Sequence, residues 1–361
     1  MTPEGRPIRV LIVDDSPFVR KALLRVFSGD PATEVVGAAR DGREAVEKAL
    51  DLRPDVVTLD IMMPVMDGIE TLKALMERHP VAVLMLSQFT HEGAELTLKA
   101  LELGAMDFVD KSTTGAMDFL ALSREILSKV KAIAGHKPKR LDYEAASTEG
   151  FRPKGVVDAV AIGASTGGPP ALQMILQKLP EDINFGVLIV QHMPKGFTGP
   201  LAERLDRLCP IKAKEAEDGD RVEPGLALIA PSGLHMGVRN PSSYGRGSAP
   251  APPPGAEGPR TPFSIKLGVE PVNLSHRPSV DVLFESVARV YGPRSIAVLL
   301  TGMGADGAKG MAEIKQAGGL TIAQDEATST IFGMPKAAIS AGAARKVLPI
   351  TEIADEILRN V

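Results

Sequence analysis

Short apolar runs with almost no polar alternation recur along this chain, and they restrict its fold more than any other feature. "IRVLIV", "EVVGAA", "DVVTL", "VAVLML" and "DFVD" follow one another in the N-terminal third. A strand with one wet face alternates, whereas a strand covered by helices on both faces does not, so these runs predict a parallel sheet. Between them lie stretches with helical periodicity, such as "GREAVEKALDL" and "GIETLKALMERH". Five such β-α repeats predict a doubly wound, five-stranded domain of flavodoxin-like topology over residues 1–134.

The pattern then stops. Residues 135–155 run through "HKPKRLDYEAASTEGFRPKG", polar with scattered prolines and no apolar period, which reads as an interdomain linker. A second α/β series follows over residues 156–361: "DAVAIGA", "FGVLIVQ", "GLALIAP", "SIAVLLTG" and "GLTIAQ", with helices such as "GPLAERLDRL" and "KGMAEIKQAG". It predicts a doubly wound, mostly parallel domain. Residues 240–262, "NPSSYGRGSAPAPPPGAEGPRTP", carry too little apolar side chain to pack a core. They fall between the strand-like runs "GLHMGV" and "FSIKLGV" and are expected to extend a hairpin loop as a disordered insertion.

Composition narrows the function classes. A chain of 361 residues exceeds one ordinary core, in line with two domains. A net charge of −4 gives no electrostatic reason to bind a nucleic-acid backbone. The single cysteine, Cys209, excludes an internal disulfide, suits a reducing compartment and is expected to act as a small buried apolar residue. The N-terminal apolar run is cut short by Asp14 and Asp15 and fits neither a signal peptide nor a membrane span, so the cytoplasm is the expected location.

The strand ends of the first domain gather a chemistry. Asp14 and Asp15 end the first strand, Asp60 the third, Ser87 the fourth and Lys111 the fifth. In a parallel sheet these ends share one edge, where ligands of such folds bind. Clustered carboxylates repel one another unless a cation joins them, and Mg²⁺ suits an all-oxygen set. Lys111 adds a point charge and Ser87 a hydroxyl for phosphate oxygens.

These residues, in "VDDSPFVR", "TLDIMMPVMDG", "MLS" and "FVDK", resemble the receiver domain of bacterial response regulators. The resemblance implies that Asp60 accepts a phosphoryl group from a histidine kinase. It also implies that Asp14, Asp15, Asp60 and the Met62 carbonyl form the Mg²⁺ site, and that Phe108, with Ser87 and Lys111, belongs to the activation switch. One departure stands out: Ser112 follows Lys111 where the family has proline, so a cis X–Pro bond is not expected there.

In the second domain "VAIGASTGGPP" contains Gly163-Ala164-Ser165-Thr166-Gly167, a G-x-S-x-G at a strand-to-helix junction. Small flanking residues permit a sharp, strained turn that exposes the serine oxygen. A rival reading comes from Gly302-Met303-Gly304-Ala305-Asp306-Gly307, a G-x-G-x-x-G followed by Asp325 near the spacing of a ribose-binding carboxylate. That grammar suits a nicotinamide-dependent enzyme. It gives no task, however, to Ser165 or to His192, which follows the buried-looking run "FGVLIVQ". Ser165, His192 and Asp306 each fall just past a strand terminus, the edge where a doubly wound sheet assembles its site. His235, beside the insertion, is a poor place for a rigid base, while His276, in "NLSHRPSVD", could line the site. The order Ser, His, Asp differs from that of α/β-hydrolases, chymotrypsin and subtilisin. A response regulator whose C-terminal half only binds partners would also explain the first domain, and a serine-directed organophosphate probe separates it from a hydrolase.

"IGASTGGP", "QHMPKGFTGPLAERL", "EAEDGDRVEPG", "SHRPSVDVLFESVA", "LLTGMGADGAKGM" and "IFGMPKAAI" resemble the chemotaxis protein-glutamate methylesterase and protein-glutamine glutaminase family, across the chain apart from the linker and the insertion. The resemblance implies hydrolysis of glutamyl γ-methyl esters of chemoreceptors, with release of methanol, and deamidation of certain receptor glutamines, in adaptation. It implies catalysis by Ser165, His192 and Asp306 without a cofactor for the ester chemistry. Backbone N–H groups of Thr166 and Met303 are the candidates for an oxyanion hole. The expected partners are chemoreceptors and the chemotaxis kinase, with no membrane insertion and a monomeric chain. The receiver is expected to cover the serine site until phosphorylated.

Overall fold

The computed structural model describes residues 5–88, 90–112, 116–136, 138, 157–240 and 263–361. Nearly all of the predicted linker and residues 241–262 of the predicted insertion lie outside the described residues. The chain divides into two compact units, residues 1–142 and 143–361.

In the first unit the apolar runs become β1 (Ile8–Val13), β2 (Thr33–Ala39), β3 (Val56–Asp60), β4 (Ala82–Ser87) and β5 (Asp107–Asp110). All pairings are parallel, in the order β2-β1-β3-β4-β5. Strands β3 and β4 are buried throughout, as continuous apolar runs require. "EVVGAA" was expected to be covered on both faces, yet β2 is an edge strand and mostly half-exposed, because sheet position, not side-chain type, decides what covers it.

The helices are α1 (Pro17–Ser28), α2 (Gly42–Leu52), α3 (Gly68–Arg78), α4 (His91–Glu102) and α5 (Ala116–Ile133). Each of the first four begins on a side chain that accepts from its first turn: Ser16, Asp41, Asp67 and Thr90. Asp67 and Glu70 complete a reciprocal capping box beside the end of β3. The sequence changes direction between β1 and β3, and that switch point opens a crevice at the strand ends.

The second unit holds a seven-stranded, all-parallel sheet. Its strands are β6 (Ala159–Ala164), β7 (Gly186–Gln191), β8 (Lys212–Glu215), β9 (Leu226–Ile229), β12 (Ser295–Leu299), β13 (Leu320–Gln324) and β14 (Lys346–Leu348). Their order is β14-β13-β12-β6-β7-β9-β8. Strands β8 and β14 were not legible in the sequence: "KAKE" and "KVL" are short and charged, as suits the two edges of a sheet. The predicted hairpin is present as β10 (His235–Arg239) paired antiparallel with β11 (Ser264–Gly268).

Among the helices, α6 (Gly168–Leu176) follows β6 and is buried over its whole length, which accounts for the unbroken apolar text "GPPALQMIL". Helix α7 (Thr198–Leu208) follows β7, and α8 (Val280–Tyr291) follows the hairpin. Helices α9 (Ala308–Gln316), α10 (Met334–Ser340) and α11 (Ile350–Arg359) complete the unit. Strand β10 lies on α8, where the Val238 N–H donates to Ser286 Oγ at 3.0 Å. The core around α8 joins Leu283, Phe284 and Val287 to Leu299, Met311 and Ile314, all fully buried. Cys209 is buried, and burial pushes its thiol up to about 12, so it packs rather than reacts.

Among the described residues no helix is long and apolar enough to cross a membrane. Removing the Phe284 ring should lower the stability of the second unit by about 3–5 kcal/mol. Chemical denaturation of Phe284→Ala should therefore move one of the two unfolding transitions and leave that of the first unit in place.

Candidate active site

At the receiver crevice, ligand oxygens of Asp14, Asp15 and Asp60 lie within 4.8 Å of one another. Asp14 and Asp60 are buried and Asp15 is exposed. Lys111 Nζ reaches across to Asp14 Oδ2 at 3.0 Å and Asp60 Oδ2 at 2.7 Å. Burial holds the Asp60 carboxyl above the ordinary carboxylate range although Lys111 pulls it down, and the charges of Asp14 and Asp15 push it up further. One ammonium thus leaves the cluster short of positive charge, and a divalent cation on an all-oxygen set answers that need; the residues fit Mg²⁺.

The other predicted switch residues are close at hand. Ser87 is fully buried, and its Oγ accepts from the Thr97 hydroxyl on α4 at 2.8 Å. Phe108 is buried, with the Lys129 ammonium 5.5 Å from its ring centre. The Ser112 N–H, which a proline would lack, donates to Asp110 Oδ1 at 3.0 Å.

In the second unit, parallel register sets the catalytic candidates side by side. Ala164 of β6 pairs with Gln191 of β7, so the residues that follow, Ser165 and His192, leave the sheet at matching positions on adjoining strands. The His192 N–H donates to the Ala164 carbonyl at 2.9 Å. Adjoining strands lie about 5 Å apart, which brings a serine and an imidazole at such positions within reach of each other. Gln191 braces both turns, its Nε2 donating to the carbonyls of Ser165 at 2.8 Å and His192 at 3.0 Å.

Asp306 comes from the loop after β12, the strand on the other side of β6. Its Oδ2 lies 2.8 Å from His192 Nε2. The carboxylate also caps α8, accepting from the Val280 N–H at 2.7 Å, the Asp281 N–H at 3.1 Å and the Ser279 hydroxyl at 2.8 Å. Burial alone would raise its pKa; the His192 hydrogen bond and charge, with the two amides, instead hold it well below the usual range. An ionised carboxylate accepts only, so the His192 proton sits on Nε2 and the lone pair on Nδ1. That Nδ1 is buried with no hydrogen-bond partner. In the chymotrypsin triad the acid holds Nδ1 and the serine faces Nε2; here the two nitrogens exchange roles.

Several expectations change. The strain expected at the serine is absent: among the described residues only Arg53 and Val65 combine a side chain with positive φ. The left-handed position is Gly167, at φ 77°, where a Cβ would lie 2.3 Å from Thr330 Oγ1. The dinucleotide reading fails on packing, since a Cβ at Gly302 would lie 2.7 Å from that of Ser165, so this glycine admits the serine turn. Asp325 is occupied by Thr328, whose N–H it accepts at 2.9 Å, in a tight turn. His235 is not loosely held but buried, with Nε2 bonded to the Pro271 carbonyl at 3.1 Å and Nδ1 accepting from the Ser279 N–H at 3.2 Å. Both its nitrogens are used, which excludes it as a base.

Sequence reasoning missed Ser279 and Gln191. Ser279 was findable, because serine before "VDVLFESVARV" with Asp281 two residues on is a helix-start signal. Gln191 had no signal beyond a polar residue ending a buried strand. His276 stacks on His192, with ring centroids 4.2 Å apart and planes within 5°. His192, His276 and Asp306 are near enough to suggest a metal site. Parallel stacked rings aim their lone pairs into separate planes, so no single ion can be coordinated by both, and the trio does not fit a metal.

Two consequences can be measured. Ser279→Ala removes a helix cap and one hydrogen bond to Asp306, and should cost about 0.5–2 kcal/mol of stability in denaturant titration. Asp60 has a raised pKa in the folded state, so its ionisation opposes folding: the stability held below the ordinary carboxylate pKa is lost as pH rises through the folded value. Asp60→Asn should accordingly raise the receiver's melting temperature at pH 7 without added Mg²⁺, and the gain should vanish as the pH falls below 4.

The sequence matches two known families. Residues 10–118 match the response regulator receiver domain, and residues 160–357 match CheB methylesterase. A protein-glutamate methylesterase/protein-glutamine glutaminase of Symbiobacterium thermophilum is 46% identical over 375 residues, covering 99% of this chain and 98% of that one. A protein of the same description from Pyrococcus abyssi is 45% identical over 367 residues, with 99% and 94% covered. The crystal structure of the Thermotoga maritima CheB methylesterase catalytic domain superposes with a TM-score of 0.50 at 38% identity, covering 56% of this chain and 98% of that domain. With its receiver and its serine-bearing parallel sheet in one polypeptide, the chain belongs to the CheB family of protein-glutamate methylesterases/protein-glutamine glutaminases.

Proposed function

We propose that Ser165, His192 and Asp306 hydrolyse glutamyl γ-methyl esters and selected glutamine amides on the cytoplasmic part of chemoreceptors. The observation that carries this reading is the His192–Asp306 pair at 2.8 Å, which leaves an unpartnered Nδ1 on a histidine that follows β7 where Ser165 follows β6. Serine is a weak nucleophile unaided. Ser165 Oγ attacks the γ-carbonyl carbon and its proton passes to His192 Nδ1, while Asp306 stabilises the imidazolium. The carbon–oxygen or carbon–nitrogen bond then breaks as His192 returns the proton, and methanol or ammonia leaves. Water, deprotonated at the same nitrogen, releases glutamate and restores the serine.

The oxyanion forms at the start of α6, whose N-terminal dipole favours negative charge, with backbone N–H groups of Thr166 and Met303 as the candidate donors. Ester and amide place a carbonyl next to a leaving group in the same way, so one site serves both. No cofactor enters these steps.

The receiver supplies the control. Asp60 accepts a phosphoryl group from a histidine kinase, and phosphorylation raises turnover at Ser165. Asp14, Asp15, Asp60 and the Met62 carbonyl would hold Mg²⁺, which would supply positive charge against the transferring group. Lys111 contacts two of those carboxylates and is placed for a phosphoryl oxygen. Both activities belong in the cytoplasm, where receptor helices and kinase meet.

Methanol release from methylated receptor membranes tests the reading. Ser165→Ala should lower it by about 10⁴-fold or more. Asp60→Asn should keep basal release and lose stimulation by a small phosphodonor. Undiminished release by the serine variant would defeat the assignment.

A further inference from the structure

The hydrolytic reaction as proposed gives His276 nothing to do, yet this residue makes the closest ring contact in the site. Its imidazole lies parallel to that of His192, with centroids 4.2 Å apart and 5° between planes. The loop that carries it, between β11 and α8, is tied down on both sides. Before it, the carbonyls of Pro271 and Val272 accept from His235 Nε2 at 3.1 Å and Arg277 Nη2 at 3.4 Å. After it, Ser279 is held by His235 and Asp306. One face of the His276 ring covers His192 and the residue remains exposed on its outer side.

The geometry points to His276 as a positioning residue, whose neutral ring fixes the plane of the His192 imidazole and whose charge state governs how readily His192 can become an imidazolium. The inference rests on the triad reading above. Asp306 fixes only one edge of His192, through Nε2, and rotation about that bond would carry Nδ1 away from Ser165. A ring stacked on the face blocks that rotation. A neutral aromatic face also tolerates a cation beside it, whereas a second imidazolium at this separation would repel the first.

The charged groups around His276 are His192 from the end of β7, Asp306 from the loop after β12, and Arg277 on its own loop. Loss of water on the covered face lowers its pKa, the charge of His192 lowers it further, and Asp306 opposes both. His276 therefore stays neutral at pH 7 and gains a proton only on acidification.

The test uses the full-length chain and methanol release from methylated receptor membranes between about pH 5 and 8, the range of imidazole titration. His276→Ala should lower kcat about tenfold with KM little changed, the signature of a misplaced reacting group. His276→Phe keeps a flat ring without a proton and should recover most of that loss. On the acid side the wild-type kcat/KM should fall through two separated protonations, since the first imidazolium disfavours the second, and that of His276→Phe through a single one. Wild-type kcat in His276→Ala, or a second protonation in His276→Phe, would overturn the inference. Ser165→Ala, assayed alongside, separates the two layers: if it retains turnover the triad reading itself falls, and if it is inactive while His276→Ala is unaffected only the role of His276 falls.

Discussion

A half-buried carboxylate at the N-terminus of a helix organises the second unit. Asp306 accepts from the Val280 and Asp281 amides, the Ser279 hydroxyl and His192, so a charge that would be costly in an apolar surrounding is met by four donors. The same contacts fix the start of α8, and α8 packs Leu283, Phe284 and Val287 into the core that supports β12. Orientation of the histidine and stability of the helix are thus one structural problem solved once. The carboxylate, held at the start of α8, takes Nε2 of His192 and leaves Nδ1 without a partner.

The two units solve a related electrostatic problem differently. Both collect carboxylates at the carboxyl ends of a parallel sheet. In the second, fixed backbone dipoles satisfy the single anion and hold its pKa down. In the first, three carboxylates gather around one lysine that reaches two of them, and Asp60 is pushed up. A satisfied anion suits a permanent orienting role. An unsatisfied cluster suits a site that takes up a divalent cation, because one lysine cannot balance the carboxylates around it. Around the serine, Gln191 Nε2 ties the Ser165 and His192 turns together.

Much of this was legible in residue order. Continuous apolar runs located β1, β3, β4, β6, β7, β12 and β13 because both faces of a covered strand must be apolar. Strand ends located Asp60, Lys111, Ser165 and His192 because a parallel sheet presents all its carboxyl ends at one edge. Edge strands β8 and β14 escaped because solvent on one side removes the pattern that marks a strand. The glycines of residues 302–307 misled, since local spelling cannot tell a loop that cradles a pyrophosphate from one that admits a neighbouring serine turn.

The sequence alone determined the two α/β units, the acidic cluster and the placing of Ser165, His192 and Asp306 just past strand ends, because these follow from periodicity and from strand termini, which are local. Only the tertiary structure decided which nitrogen the aspartate holds, that the left-handed turn falls on Gly167 and not on Ser165, and that His276 lies flat on His192. Those facts depend on loops from distant strands meeting above one sheet edge, and no interaction between neighbours in the chain encodes the angle at which they meet.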